Sequence, residues 1–129
     1  YIYSDDFSLY NGVAARKTLT DGGGIDSINA SMVSTGVNIN LTAGSNSTID
    51  GVTLTIAAGT TIENVFGGDG NDVLTGNAAD NLLWGGRGAD TIDGGMGTDT
   101  AEWLEDLADF TISFSGSTLL AELAGGIID

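Results

Sequence analysis

Four consecutive nonapeptides constrain the fold of this 129-residue chain more than any other feature of its sequence. They run from Gly67 to Glu102 and follow the template G-G-x-G-x-D-x-U-x, in which U is an apolar residue. Sixteen of the twenty specified positions match, so the repeat cannot be accidental. A short repeat of this kind indicates a solenoid in which each unit buries its apolar side against its neighbours.

The residue types of the repeat predict a turn followed by a very short strand. Glycine tolerates the positive φ angles of tight turns and lets backbone carbonyls converge. After the sixth position, three residues would form a strand with one inward side chain. The inward residues are Leu74, Leu83, Ile92 and Ala101. A flexible Gly/Asp linker would not keep apolar residues in a fixed phase, so we predict an all-β fold, a parallel β-roll that is a two-sheet right-handed β-solenoid.

The roll would stack the repeat turns in two columns, because two nonapeptides make one coil. Turns 67–72 and 85–90 would stack on one side, and turns 76–81 and 94–99 on the other. The sixth position is Asp in three repeats and Asn in one, and the chain has 18 acidic against 3 basic residues, a formal charge of −15. Carbonyl and carboxylate oxygens from stacked turns form the all-oxygen shell that calcium prefers, whereas magnesium keeps its water. We therefore predict several calcium ions, about four.

Composition excludes several other functions. Without cysteine or histidine the chain cannot form disulfides, thiolate or histidine zinc sites, or a histidine-based catalytic centre. Its only cations are Arg16, Lys17 and Arg87, so nucleic acid is not an expected partner. No apolar run reaches the ~20 residues of a membrane span. Carboxylate pairs such as Glu102/Asp106 have no indicated cleft, so we predict that the chain is not an enzyme.

The segments on either side of the repeats also alternate in polarity. Residues 37–41 and 52–56 each predict a half-buried strand that is followed by a glycine. Glu63 falls at the sixth position when the nine-residue frame is continued backwards, stacked over Asn81. Residues 110–114 and 119–123 predict a β-hairpin that caps the open end of the roll. We expect one module over 1–129, with leading strands at 17–66, four nonapeptide repeats at 67–102 and a C-terminal cap at 103–129.

These motifs resemble a known family. The repeat is similar to the RTX parallel β-roll, whose nonapeptides are tied to calcium. The order of Asp21-Gly22-Gly23-Gly24-Ile25-Asp26, residues 39–45, Thr61-Ile62-Glu63-Asn64 and the repeats resembles the C-terminal domain of serralysin-type secreted metalloproteases over about 17–101. The resemblance implies that the calcium ligands are the carbonyls at positions two and four and the side chain at position six.

Transferred by position, the implied ligands comprise a first turn, a segment leading into the stack, and the four repeat turns. They are Asp21, Gly23, Gly24 and Asp26; Thr61 and Glu63; Gly68, Gly70 and Asp72; Asn77, Ala79 and Asn81; Gly86, Gly88 and Asp90; and Gly95, Gly97 and Asp99.

The resemblance further implies export by a type I secretion system and an extracellular location. We expect a segment of a larger exported protein, in which calcium binding drives folding because the carboxylates repel one another without the cation. Three parent functions remain open: a zinc metalloprotease whose catalytic domain is the partner, a polysaccharide-modifying enzyme such as an alginate epimerase or lyase, for which the module would bind polysaccharide, and a large RTX adhesin that ends in this module.

Overall fold

A computed structural model describes residues 1–10, 12, 17–104, 111–113 and 118–123. Within these residues the chain forms thirteen strands and one 3-10 turn, Phe7–Tyr10. No helix among them is long and apolar enough to cross a membrane. The strands are β1 Ile2–Ser4, β2 Thr18–Leu19, β3 Ser27–Met32, β4 Asn38–Asn40, β5 Asn46–Ile49, β6 Val52–Ile56, β7 Asn64–Phe66, β8 Val73–Thr75, β9 Leu82–Trp84, β10 Thr91–Asp93, β11 Thr98–Trp103, β12 Thr111–Ser113 and β13 Thr118–Leu123.

The strands form two sheets, and the repeats alternate between them. One sheet has the order β1-β3-β7-β9-β11-β13 and is parallel throughout. The other has the order β12-β10-β8-β4-β5-β6-β2. Successive repeat strands therefore lie in opposite sheets, and strands two repeats apart are neighbours. This arrangement confirms the predicted parallel β-roll in which two nonapeptides make one coil.

The core lies between the sheets, and within the repeats the eighth position contributes its side chains. Leu74 pairs with Ile92 in one sheet, and Leu83 lies between Val65 and Ala101 in the other. All five side chains are completely buried. Burial of each large aliphatic side chain contributes ~1.5–3 kcal/mol relative to exposure. This column of apolar side chains holds the turns at either edge of the sheets in register.

An antiparallel hairpin extends the second sheet beyond the repeats. β5 and β6 pair with each other, and β5 also pairs antiparallel with β4. The two-residue turn is Asp50-Gly51, with φ angles of 48° and 70°. Positive φ at both central residues is the geometry that matches the twist of a hairpin and favours an Asp-Gly pair. The hairpin separates β4 from β7, so the first coil contains an insertion.

The predicted C-terminal hairpin is wrong. β12 pairs in parallel with β10 and β13 in parallel with β11, so the two strands lie in different sheets and continue the roll by one coil. Alternating polarity is the same in a hairpin strand and in a strand of a coil. Only the partner distinguishes them, and the exposed edges of β10 and β11 supply it. Residues 105–110, 114–117 and 124–129 of the predicted cap lie outside the described part of the chain.

Candidate metal centre

The sixth position of every repeat is buried. Asp72, Asp90 and Asp99 are each 1% exposed, and Asn81 is 3% exposed. Carboxylates are rarely buried unless they are paired or bound to a metal, because loss of hydration costs several kcal/mol per ion. These side chains therefore require a compensating partner in the turns.

Part of the compensation comes from the turn that precedes each carboxylate in its column. Asp72 Oδ1 accepts a hydrogen bond from the backbone N–H of Val37 at 2.8 Å, and Asp90 Oδ1 accepts one from Asp72 N–H at 2.9 Å. In the other column, Asp99 Oδ1 accepts from Asn81 N–H at 2.9 Å. Turns eighteen residues apart are thus joined by sixth-position side chains.

The second carboxylate oxygen explains the glycine at position one. A Cβ atom on Gly67, Gly85 or Gly94 would collide with the Oδ2 atom of the aspartate in its own turn. None of these three glycines has a positive φ angle. The sequence interpretation is therefore wrong about positive φ angles at this position, whereas the close backbone approach that it also invoked is present. Glycine is needed because the aspartate side chain and, at Gly67, the Gly85 carbonyl oxygen occupy the space of a Cβ atom.

Backbone carbonyls at positions two and four face the next turn of the column. Gly68 O accepts a hydrogen bond from Arg87 N–H at 3.0 Å. A Cβ atom on Gly88 would overlap the Gly70 carbonyl oxygen, and Gly88 has a φ angle of 114°. In the other column Asn77 O accepts from Met96 N–H at 3.1 Å. The carbonyl oxygens are thus directed into the space between stacked turns.

The electrostatics of the carboxylates favour a cation. Burial raises the pKa of Asp72 to about 7, although hydrogen bonds from Val37 and Gly68 lower it, and the nearby Asp90 raises it further. Burial likewise raises the pKa of Asp99. The Oδ2 atom of Asp99 is buried and receives no hydrogen bond. A hard cation that is bound by carbonyl and carboxylate oxygens would compensate these groups, and the donor set fits calcium.

No group of three or more acidic side chains converges among the described residues in the way a carboxylate-rich metal site requires. A cation in the turns would therefore take most of its ligands from the backbone. The backbone contribution is consistent with the glycine positions, because only glycine allows carbonyls of stacked turns to approach so closely.

The predicted first turn places acidic side chains near one another. Glu63 Oε2 accepts a hydrogen bond from Asp26 N–H at 2.8 Å, and Asp21 Oδ2 accepts one from Gly23 N–H at 2.6 Å. Partial burial, followed by the negative charge of Asp21, raises the pKa of Asp26. Gly24, in the same turn, has a φ angle of 133°. Asp26 thus lies near Asp21 and near Glu63, although the three side chains do not converge on one point among the described residues.

Thr61 has an exposed side chain, which borders an open cleft of about 650 Å³ that Thr42, Asn77 and Met96 also line. Asn81 Nδ2 donates to the carbonyl of Glu63 at 2.9 Å, so Glu63 is stacked on turn 76–81 as its phase predicts.

Sequence reasoning missed a second ladder of side chains at position five. Asn71 Oδ1 accepts a hydrogen bond from Ala89 N–H at 2.9 Å, and Asp80 Oδ1 accepts one from Thr98 N–H at 2.8 Å. The template leaves this position unspecified. The available signal was that the first two repeats both have an Asn or Asp there, and these residue types readily accept hydrogen bonds from turn backbone.

Comparison with known proteins agrees with this geometry. Residues 66–101 match the family model of the RTX calcium-binding nonapeptide repeat (4 copies). Metalloprotease AprA of Pseudomonas entomophila (strain L48) is 49% identical over 84 residues, which cover 60% of this chain and 17% of that protein. Metallopeptidase AprA of Pseudomonas marginalis is 46% identical over 65 residues, covering 49% of this chain and 14% of the relative.

Serralysin G of Dickeya chrysanthemi is 42% identical over 65 residues, which again cover 49% of this chain and 14% of the relative. The chain thus spans less than a fifth of the length of these three relatives. The matched family model and the stacked turns lead to one conclusion: residues 66–101 are RTX calcium-binding nonapeptide repeats, homologous to those of serralysin-type metalloproteases.

Proposed function

We propose that this chain is a non-catalytic calcium-binding module that folds when it binds calcium outside the cell and supports the secretion and stability of a larger exported protein. The observation that carries the proposal is the burial of aspartates at the sixth position, with an Oδ2 atom of Asp99 that receives no hydrogen bond. RTX repeats in this register supply the oxygen ligands that calcium requires.

The proposed ligands are carbonyls of positions two and four and side chains of position six in each stacked pair of turns. One pair is Gly68, Gly70 and Asp72 with Gly86, Gly88 and Asp90; the second is Asn77, Ala79 and Asn81 with Gly95, Gly97 and Asp99. The first turn adds Asp21, Gly23, Gly24 and Asp26, joined to the repeats through Thr61 and Glu63. Together these sets correspond to several ions, about four in total.

Linkage between binding and folding follows from the buried charge. In the folded roll, Asp90 lies close enough to Asp72 to raise its pKa, so two ionised carboxylates oppose the compact state. Calcium converts the repulsion into coordination, and its binding free energy then becomes folding free energy. Extracellular calcium modules bind at ~10⁻⁴–10⁻³ M, which keeps them calcium-free in the cytosol.

A calcium titration followed by circular dichroism tests the proposal. We expect β-structure to increase cooperatively with calcium and to be lost in chelator. Asp90→Asn should raise the calcium midpoint, because it removes a buried charge from a stacked pair. Asp50→Asn is the control, since Asp50 carries a carboxylate in the hairpin turn between β5 and β6, outside the repeats. Full β-structure in chelator that calcium leaves unchanged would contradict the proposal.

The parent protein is proposed to be a zinc metalloprotease that is exported by a type I system. This assignment is supported by the similarity to metalloprotease AprA and serralysin G, and by a calcium requirement that would delay folding until export. The gene that encodes residues 1–129 should then also encode an H-E-x-x-H zinc motif upstream. A parent sequence with no such motif would exclude the protease.

A further inference from the structure

One junction in the stack of turns differs from the others. It lies between Glu63 and turn 76–81, where two asparagine side chains reach from the turn to backbone carbonyls of the preceding segment. We propose that these amides close the junction in place of calcium, so that one link of an otherwise calcium-dependent stack forms without the cation. This inference rests on the proposed calcium-binding function.

Asn81 occupies the sixth position but makes a different set of contacts from the aspartates. Its Oδ1 accepts a hydrogen bond from Asn77 N–H at 2.8 Å. Its Nδ2 donates to Glu63 O at 2.9 Å and to Asn77 Oδ1 at 3.2 Å. A carboxylate at this site could not donate to either oxygen, because an ionised carboxylate only accepts.

Asn77, which replaces the usual glycine at position two, adds further donors. Its Oδ1 accepts from Ala79 N–H at 2.8 Å, and its Nδ2 donates to Ile62 O at 2.8 Å and to Leu41 O at 3.3 Å. The orientation of both amides is set by their partners, since backbone N–H groups face each Oδ1 atom and carbonyl oxygens face each Nδ2 atom.

The amides bridge to the backbone carbonyls of Ile62 and Glu63, at positions five and six of the preceding nine-residue frame, and so join the two segments without a cation. In a calcium site, the cation draws carbonyl oxygens of two turns toward one point. Here the carbonyls of Ile62 and Glu63 are drawn to neutral N–H donors at 2.8 and 2.9 Å. A cation would have to displace these hydrogen bonds and would gain no carboxylate from Asn81 in return.

The hydrogen bonding at this junction is also different, although the strand register is the same as at the others. At three other junctions, the backbone N–H of the earlier residue donates to the sixth-position carboxylate of the later one. These pairs are Val37 and Asp72, Asp72 and Asp90, and Asn81 and Asp99. Glu63 N–H instead donates to Asp26 O at 3.2 Å, and Asn81 uses its own side chain to reach Glu63. The junction therefore follows a different bonding scheme, with an uncharged group in place of an anion.

Two kinds of contact would then stabilise different parts of the stack. The leading strands would be joined to the first repeat coil by direct hydrogen bonds, whereas the later turns would require calcium. The calcium-independent link would hold one repeat turn against strands β4 and β7 before the cation arrives.

The test compares calcium stoichiometry at saturation, by equilibrium dialysis, in the wild-type chain and in the double variant N77G/N81D. The double variant restores the template residues at positions two and six. We expect it to bind one more calcium ion than the wild type, because a carboxylate replaces the Asn81 amide and the carbonyls that both amides contacted become available. Equal stoichiometry would overturn the inference.

Two further variants keep the test decisive. N71D introduces the same change of charge on an exposed asparagine and should leave the number of ions unchanged. N77G alone should lower the urea midpoint in saturating calcium, although it creates the template residue, because it removes the donors to Ile62 and Leu41. An unchanged or higher midpoint would count against the amide link. Failure of the proposed function would be separate: the wild type would then bind no calcium at all.

Discussion

Acid should partly replace calcium in folding this module, because the buried carboxylate of Asp72 favours its protonated form. The perturbation is a change of pH in the presence of chelator. The pKa of Asp72 is raised from 3.8 to about 7, chiefly by burial and further by the charge of Asp90. A rise of that size means that the folded chain disfavours ionisation of Asp72 by ~4 kcal/mol relative to an unperturbed carboxyl group.

The sign follows from proton linkage. Between pH 4 and 7 the folded chain retains a proton on Asp72 that the unfolded chain has released. The stabilisation is therefore fully present below the unfolded pKa and is lost as the pH rises through about 7. Asp99 and Asp26 act in the same direction, since the pKa of each is also raised by burial.

Circular dichroism in chelator at pH 5 and pH 8 measures this effect directly. We expect more β-structure at pH 5, and we expect Asp72→Asn to reduce the difference because the amide has no charge to lose. Asp50→Asn, in the hairpin turn between β5 and β6, should leave the difference unchanged, because Asp50 lies outside the stacked repeat turns. With calcium saturating, the dependence should reverse, since calcium binds the ionised form. Loss of β-structure on acidification in chelator, in the wild type, would refute the reasoning.

Three other substitutions test separate parts of the roll. Gly88→Ala should prevent calcium-dependent folding, because its φ angle of 114° and the adjacent Gly70 carbonyl leave no room for a Cβ atom. Gly22→Ala is the control, since a Cβ atom there would have no neighbour within 4 Å, and circular dichroism measures both variants. Ile92→Ala should lower the free energy of unfolding in calcium by ~2–5 kcal/mol in urea titrations, because it opens a cavity in a fully buried column. Asp80→Ala should cost ~1 kcal/mol in the same assay by removing the acceptor of Thr98 N–H, and no loss would show that the position-five ladder is not stabilising.

The parallel roll could be predicted from sequence because the nine-residue phase determines which side chain points inward. Leu74 and Ile92 stack as expected, and so do Val65 and Leu83. The C-terminal strands were assigned to the wrong partners, because alternating polarity specifies a buried face and not a neighbour. Strand β5 was not predicted, since Asn46–Ile49 contains one large apolar residue and its pairing depends on the Asp50-Gly51 turn.

The candidate site shows the same limit at the level of single atoms. Spacing located Asp72, Asp90 and Asp99 at one phase, and all three are buried there. It could not show that Gly85 is needed for space and not for backbone conformation, because both requirements produce the same residue. Nor could it distinguish Asn81 as a ligand from Asn81 as a donor, which depends on the carbonyl that faces its amide.

The inserted hairpin gives the roll a direction of growth. Because β5 runs antiparallel to β4, no further parallel coil can be added next to β4 on that side of the second sheet. The opposite end of the roll carries β12 in this sheet and β13 in the first sheet, and both repeat the pairing of the coil before them. Tandem duplication of an eighteen-residue unit, which is the natural way for a gene to lengthen such a protein, would therefore be tolerated among the repeats and toward the C-terminal end, whereas the hairpin fixes where the array begins.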